Sequence, residues 1–234
     1  MDSGNIAWML AASALVLFMT PGLAFFYGGL VRARNVVSTI MYSFIAMAVV
    51  SIVWVLWGYS LAFGEGGQFI GDFSRLGLNG IDVQTIDDIA PGGGGGGELM
   101  FVVFQMMFAI ITPALITGAI VERFKFTTYL VFLVLWITLV YAPIAHWVWA
   151  SNGWIFEMGA LDFAGGTVVH INAGVAGLVA ALVMGKRVGL GSENLSPIFW
   201  SYPSSVHPCC GSAGLASTPV RRLRQTGRRA WRCW

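Results

Sequence analysis

Charge is the scarcest feature of this 234-residue sequence. Lys and Arg contribute 13 residues and Asp and Glu 11, together 10% of the chain, for a net charge of +2. A water-soluble domain of this size carries charge on roughly a quarter of its residues. So few charges cannot clothe a water-facing surface. With 57% hydrophobic residues and a mean hydropathy of +0.75, most of the surface must face lipid or other protein. Cysteine is nearly absent as well: Cys209, Cys210 and Cys233 all lie near the C-terminal end. This excludes a disulfide framework or a thiolate metal site in the hydrophobic region. Enzyme signatures are also missing. There is no G-x-S-x-G elbow, no paired-histidine zinc motif, no P-loop and no dinucleotide fingerprint followed by an acidic residue. The glycine run at 92–97 lacks the lysine and the preceding strand of a phosphate cradle. The sequence is therefore read as non-enzymatic and without a cofactor.

What the sequence does contain is long apolar stretches. Five of them, about 5–31, 37–63, 99–120, 127–149 and 165–185, approach the ~20 residues that cross a bilayer. The expected fold is an all-α polytopic membrane helix bundle. The first stretch is too long for a signal-peptide core and carries Pro21 and Gly22 mid-span, which packed membrane helices tolerate, so it is read as a true span. The glycines at 92–97 read as a flexible linker outside the lipid. Runs such as Ala173-Gly174-Val175-Ala176-Gly177 let helix backbones approach closely, as in a compact bundle.

The loops set an orientation. Arg32 and Arg34 follow the first stretch, Arg123 and Lys125 the third, and Lys186 and Arg187 the fifth. The alternate loops hold Arg75 as their one basic residue, with Asp72, Asp82, Asp87, Asp88, Glu98 and Glu157. The positive-inside rule puts the N-terminus outside the cell membrane and the end of the fifth span in the cytoplasm.

Few side chains in the spans carry chemistry. Asp162 lies just ahead of a helix, where a carboxylate accepts backbone N–H bonds and meets the positive end of the dipole. It reads as a helix cap, as a fixed negative charge favouring a cation, or as both. His170 lies deeper in the same span, and an ionisable residue at membrane depth is a functional candidate by default. A neutral imidazole donates at one nitrogen and accepts at the other, which suits a small polar molecule such as ammonia. His146, after Pro143, takes the structural reading. Phe104 and Phe108 share a helical face, and composition alone favours packing for both. Trp149 closes the fourth span at the outer side. It reads either as a member of the interfacial aromatic belt or as a cation–π surface.

The segment 162–187, D-F-A-G-G-T-V-V-H-I-N-A-G-…-G-K-R, resembles the signature of the ammonium transporter, methylammonium permease and Rhesus family. So do F-F-Y-G-G-L-V-R at 25–32, G-Y-S-L-A-F-G at 58–64, F-Q-M-M-F-A at 104–109, G-A-I-V-E-R at 118–123 and Y-A-P-I-A-H-W-V-W at 141–149. The resemblance covers about residues 5–190 and fits the ammonium transporter branch better than the Rhesus branch. It implies an eleven-span homotrimer with one pore per subunit, carrying ammonium or ammonia, with methylammonium as an analogue. For the full-length family it also implies a PII-type regulatory protein as partner. By the same resemblance Trp149 recruits ammonium, Phe108 gates with Phe104 beside it, Asp162 supports binding or deprotonation, and His170 is the first of two pore histidines. The alternative class is an ammonium-binding sensor or regulatory subunit in mixed oligomers.

Residues 191–234 read differently. Arg221, Arg222, Arg224, Arg228, Arg229 and Arg232 crowd together, and Glu193 is the only acidic residue after Arg187. The resemblance calls for a sixth span with W-F-G-W-F-G-F-N-A-G-S. Codons for Cys210 onward, read one base earlier with suitable third bases, spell L-W-F-G-W-F-G-F-N-A-G-S. The tail is therefore expected to be an out-of-frame product rather than a nucleic-acid or lipid-binding arm. The chain by itself is expected to be a truncated, inactive transporter subunit. The loop asymmetry gives a direct test of topology. A cysteine placed at Arg34 should resist a membrane-impermeant maleimide in intact cells, and one at Asp87 should react; labelling of the Arg34 position from outside reverses the assignment.

Overall fold

The computed structural model describes residues 3–81 and 97–187. Most of the glycine linker, Asp82, Asp87, Asp88 and the tail at 191–234 lie outside the described residues. Five long apolar helices run Ser3–Gly29, Ala33–Phe63, Glu98–Ile120, Phe126–Glu157 and Gly166–Met184, here called the first to fifth spans, and among the described residues there is no strand. The shortest has 19 residues, which rise about 28 Å, close to the ~30 Å of a hydrocarbon core. The molecule is thus an all-helical, multi-pass membrane bundle.

The third span is the hub. Of its most apolar window 72% is buried, against 28% for the fifth span, and it packs on the first, second and fifth. Small residues make that packing close. A Cβ added at Gly118 would lie 2.7 Å from the Tyr27 ring, and the Tyr27 hydroxyl donates to the Leu115 carbonyl at 3.0 Å. The third helix thus takes the Tyr27 ring directly against its backbone at Gly118. Several hydroxyls inside the spans are satisfied locally. Ser13 donates to Met9, Thr39 to Asn35, Ser51 to Met47 and Thr138 to Val134, each one helical turn back. Pro21 and Pro113 sit inside the first and third helices, where neighbouring helices support the backbone.

A wide π turn interrupts the second span at Trp54–Gly58 and the fourth at Ile137–Tyr141. The turns are matched across the helix pair. Trp57 Nε1 donates to Thr138 Oγ1 at 2.9 Å, and the Trp54 and Tyr141 rings meet edge-on with centroids 6.1 Å apart. Each widened turn thus receives a specific cross-span contact from the other.

The basic end of the bundle is tied by one acidic residue. Glu122 follows the third span with φ +64°, unusual for a residue with a Cβ. Its carboxylate accepts from Arg32 Nε at 3.0 Å and Asn35 Nδ2 at 2.6 Å, and Arg187 lies 3.7 Å away. One side chain thus joins the ends of the first, third and fifth spans to the start of the second. Arg123 adds bonds to the carbonyls of Gly185 and Ala119.

Burial pushes the Glu122 carboxyl upward, but hydrogen bonds from Asn35 and Arg32 and the Arg32 charge outweigh it, leaving the group below the ordinary glutamate value. A depressed carboxyl contributes stability that is complete above its unfolded value and lost as pH falls through its folded one. Glu122→Gln should therefore lower the melting temperature in detergent at neutral pH, and the gap to the parent should close in acid. The loss should stay at or below the ~3 kcal/mol lower bound for breaking a fully buried pair, because Arg32 keeps 14% exposure. A gap that persists unchanged at acid pH contradicts the ion-pair account.

Candidate functional site at the mouth of the fifth span

The fifth span does not begin as a regular helix. Gly165 has φ +76°, a left-handed conformation that glycine adopts without strain. The chain then enters a π turn over Gly166–Ile171. A helix start leaves several N–H groups without partners. Asp162 supplies them: Oδ1 accepts from Gly166 N at 2.6 Å, and Oδ2 accepts from Thr167 N at 2.9 Å and Val168 N at 3.1 Å. The side chain is buried, so this is a three-donor cap built from a negative charge at the positive end of a helix.

Trp149 is fastened to the same turn. Its Nε1 donates to the main-chain carbonyl of Asp162 at 3.0 Å, and it is only 2% exposed. That burial removes the interfacial-belt reading, since belt residues lie at the lipid–water boundary. Phe108 meets the indole edge-on with centroids 6.0 Å apart at 71°, and Phe104 meets Phe108 at 5.1 Å and 74°. Trp149, Phe108 and Phe104 thus form an aromatic ladder running from the capped turn along the third span. Phe104 and Phe108 are buried, so packing and a place in the ladder hold together.

His170 lies on the far side of the cap. Its Nδ1 is 3.0 Å from the Gly165 carbonyl oxygen, which only accepts, so Nδ1 carries a proton, and in the neutral ring Nε2 is the acceptor. The ring is exposed on the surface of the described bundle rather than enclosed among the aromatic residues. The structure brings Phe104, Phe108, Trp149 and Asp162 together and sets His170 apart from them. Beyond His170, Asn172 faces an apolar cleft of about 650 Å³ between the fourth and fifth spans, walled by residues such as Trp147, Ile155, Ile171 and Val175. The Asn172 amide nitrogen is buried there without a hydrogen-bond partner. A cleft so apolar suits hydrocarbon and is a poor place for a cation. Among the described residues no group of three or more His, Cys, Asp or Glu could hold a metal ion.

Two polar nodes escaped the sequence reading. Glu122 carries a signal, a lone acid in the otherwise basic loops at 32–34 and 123–125. His146 received only a general structural reading, although it sits one turn before Trp149. Both of its ring nitrogens face carbonyls, which nothing in its spacing reveals.

Comparison with known proteins bears on this site. The family model described as Ammonium Transporter Family matches residues 7–206. The ammonium transporter of Bacillus subtilis is 52% identical over 189 residues, covering 80% of this chain and 45% of that protein. The ammonium transporter of Mycobacterium tuberculosis H37Rv is 50% identical over 208 residues, covering 80% and 44%. The crystal structure of Candida albicans Mep2 superposes with a TM-score of 0.83 at 32% identity, covering 96% of this chain and 49% of that one. The chain spans about half the length of the curated relatives it matches.

The cap makes a stability prediction independent of any transport assay. Asp162→Ala strands three N–H groups at the start of the fifth span and should cost about 1–2 kcal/mol, read as a lower melting temperature in detergent. Asp162→Asn, which keeps a carbonyl acceptor, should recover part of the loss. A parent-like melting temperature for Asp162→Ala would remove the cap from the account.

Proposed function

This chain belongs to the ammonium transporter family, and on that premise we propose that its five spans form one wall of a path for ammonium and ammonia across the membrane. The observation that carries the reading is the capped turn with its ladder, in which Trp149 is hydrogen-bonded to the residue whose carboxylate closes the fifth span. Ammonium is a small cation with N–H donors on every side. An indole face attracts such a cation by up to about 2 kcal/mol once water is removed, and the buried Asp162 carboxylate adds negative charge nearby. The aromatic ladder past that point offers no acceptor, so a charged species loses its hydration there without replacement. Neutral ammonia pays far less, and His170 in its neutral form offers Nε2 as an acceptor for its N–H. Trp149 and Asp162 are thus assigned to recruitment, Phe108 and Phe104 to the constriction, and His170 to passage of the neutral molecule.

The same reading puts the N-terminus outside the cell membrane. Arg32, Arg123 and Arg187 gather at the end of the bundle where Glu122 sits, which supports a cytoplasmic face there. It also carries a homotrimer with a PII-type regulatory partner. Exposed apolar side chains on the first span, such as Leu10 and Phe18, are compatible with protein neighbours. For residues 191–234 the reading is an out-of-frame tail, which the nucleotide sequence around codons 188–210 tests directly.

The transport test is growth of a transport-deficient host on low ammonium. The chain continued in the restored frame should rescue growth. In that background Trp149→Leu should raise the ammonium concentration needed by roughly tenfold, on the scale of a desolvated cation–π contact. Phe108→Ala should change uptake of methylammonium more than protein level. Parent-like growth and uptake for both variants would reject these roles.

A further inference from the structure

The loop that follows the second span is stitched to the end of the fourth in a way that the path itself does not require. Of four successive carbonyls, three accept a hydrogen bond from the segment 146–154 and the fourth faces a ring nitrogen of His146. Gly66 accepts from Asn152 Nδ2 at 2.9 Å, and the Gly67 carbonyl lies 2.7 Å from His146 Nε2. Gln68 accepts from the Trp154 backbone N–H at 3.3 Å, and Phe69 accepts from Trp147 Nε1 at 2.6 Å. The Gln68 side chain also donates to Glu157 at 2.9 Å. Among these donors His146 is the buried one, with no measurable exposure, and it alone holds a second carbonyl: Nδ1 lies 3.0 Å from the oxygen of Ala62, in the last turn of the second span.

Carbonyl oxygens only accept. A neutral imidazole donates to one of the two, and a doubly protonated ring donates to both. In either form both edges of the ring are taken, so His146 is closed to a passing ligand in a way that His170 is not. Its effect must run through the backbone. Trp149 lies one turn further along the same helix, and the His146 carbonyl accepts from Ala150 N at 3.2 Å, closing the turn that carries the indole. A Cβ at Gly153 would run into the carbonyls of His146 and Trp147, so the chain folds back tightly over this turn.

We propose that His146 is the positioning residue of the outer recognition site: it clasps the 66–69 loop and the end of the second span to the fourth span and so fixes the pose of Trp149. The inference rests on the reading of Trp149 as the ammonium-recruiting surface. Three links hold the indole: Phe108 edge-on, the Asp162 carbonyl at Nε1, and the backbone turn anchored by the clasp. Removing the third leaves a ring held at its tip but loose at its root.

The test uses the whole chain in lipid nanodiscs, labelled with 5-fluorotryptophan and read by fluorine NMR. The Trp149 signal is identified by its loss in Trp149→Phe. His146→Phe keeps the ring volume and removes both contacts. It should displace or split the signals of Trp149, Trp147 and Trp154, while Trp54 and Trp57, bonded to Val102 and Thr138 elsewhere in the bundle, keep theirs. His146→Gln retains an N–H donor for one carbonyl and should give an intermediate displacement. Ammonium chloride titrated against the Trp149 signal should show a half-saturation raised about two- to tenfold in His146→Phe, the scale of one lost hydrogen bond.

A parent-like Trp149 signal in His146→Phe overturns the proposal. If that variant loses dispersion at every tryptophan, His146→Gln decides: displacement of Trp149 with Trp54 and Trp57 in place supports the clasp, and a parent-like Trp149 signal overturns it. Failure of ammonium to move the Trp149 signal in the parent chain rejects the recruitment reading instead. The ligand-free displacement still decides whether His146 sets the pose of the indole.

Discussion

Hydrocarbon offers no hydrogen bonds, so every peptide N–H and C=O inside it must find a partner within the protein. A regular helix meets that demand by itself, and any departure from one must be repaired by something nearby. Several of the specific polar contacts at the ends of the spans are such repairs. The left-handed Gly165 and the π turn after it leave N–H groups that Asp162 accepts. The loop after the second span leaves the carbonyls of Gly66, Gly67, Gln68 and Phe69, which the 146–154 segment satisfies. The turn after the third span places Glu122 at positive φ, where an ion cluster compensates the strain. Because each repair uses a side chain or backbone from another part of the chain, satisfying the backbone also fixes the helices relative to one another.

The repairs fall at the two ends of the bundle, with dry packing between them. In the middle, Gly118 and Tyr27 bring the first and third helices together, and Phe104 and Phe108 fill the face of the third span that looks toward Trp149. A buried third span surrounded by neighbours gives the ladder a stiff backing. The fifth span is held chiefly along one side and at its ends, by Asp162 at the entrance and by Arg123 on the Gly185 carbonyl at the exit. Its other side exposes Val175, Leu178, Leu182 and Val183, a stripe at helical spacing. The stiff side carries the aromatic ladder and the more open side carries His170.

The architecture was legible from hydropathy because the lipid imposes length and apolarity on every span. Five apolar runs became five long helices for that reason. Asp162 was legible as a cap because an acid directly before a helix has few other uses. The π turns were not, since the residues of Trp54–Gly58 and Ile137–Tyr141 have no composition that separates them from an ordinary turn; the match between two distant spans creates them. Trp149 at the end of an apolar run looked the same as a belt tryptophan until its N–H was found on the Asp162 carbonyl. The partners of His146 and Glu122 were illegible for one shared reason. They lie far away in sequence, 84 positions for Ala62 and 90 for Arg32, so no local pattern encodes the contact.

The same separation of polar ends from an apolar middle constrains what the proposed path carries. A cation that reached the ladder as a cation would leave water for an environment whose nearest groups are the rings of Phe108 and Phe104. Burying an uncompensated charge there costs far more than one cation–π contact returns. Moving the charge deeper requires an acceptor that travels with it or a countercharge along the way, and neither Phe104 nor Phe108 supplies one. The alternative is to leave a proton behind at the entrance and continue as a neutral molecule with hydrogen-bonding capacity. For that molecule the next acceptor is the Nε2 of the neutral His170 ring, whose Nδ1 faces the Gly165 carbonyl. Under this reading the charge of the substrate is handled where the protein's own polar nodes already sit, and Phe108 and Phe104 discriminate by offering no acceptor or countercharge to a cation.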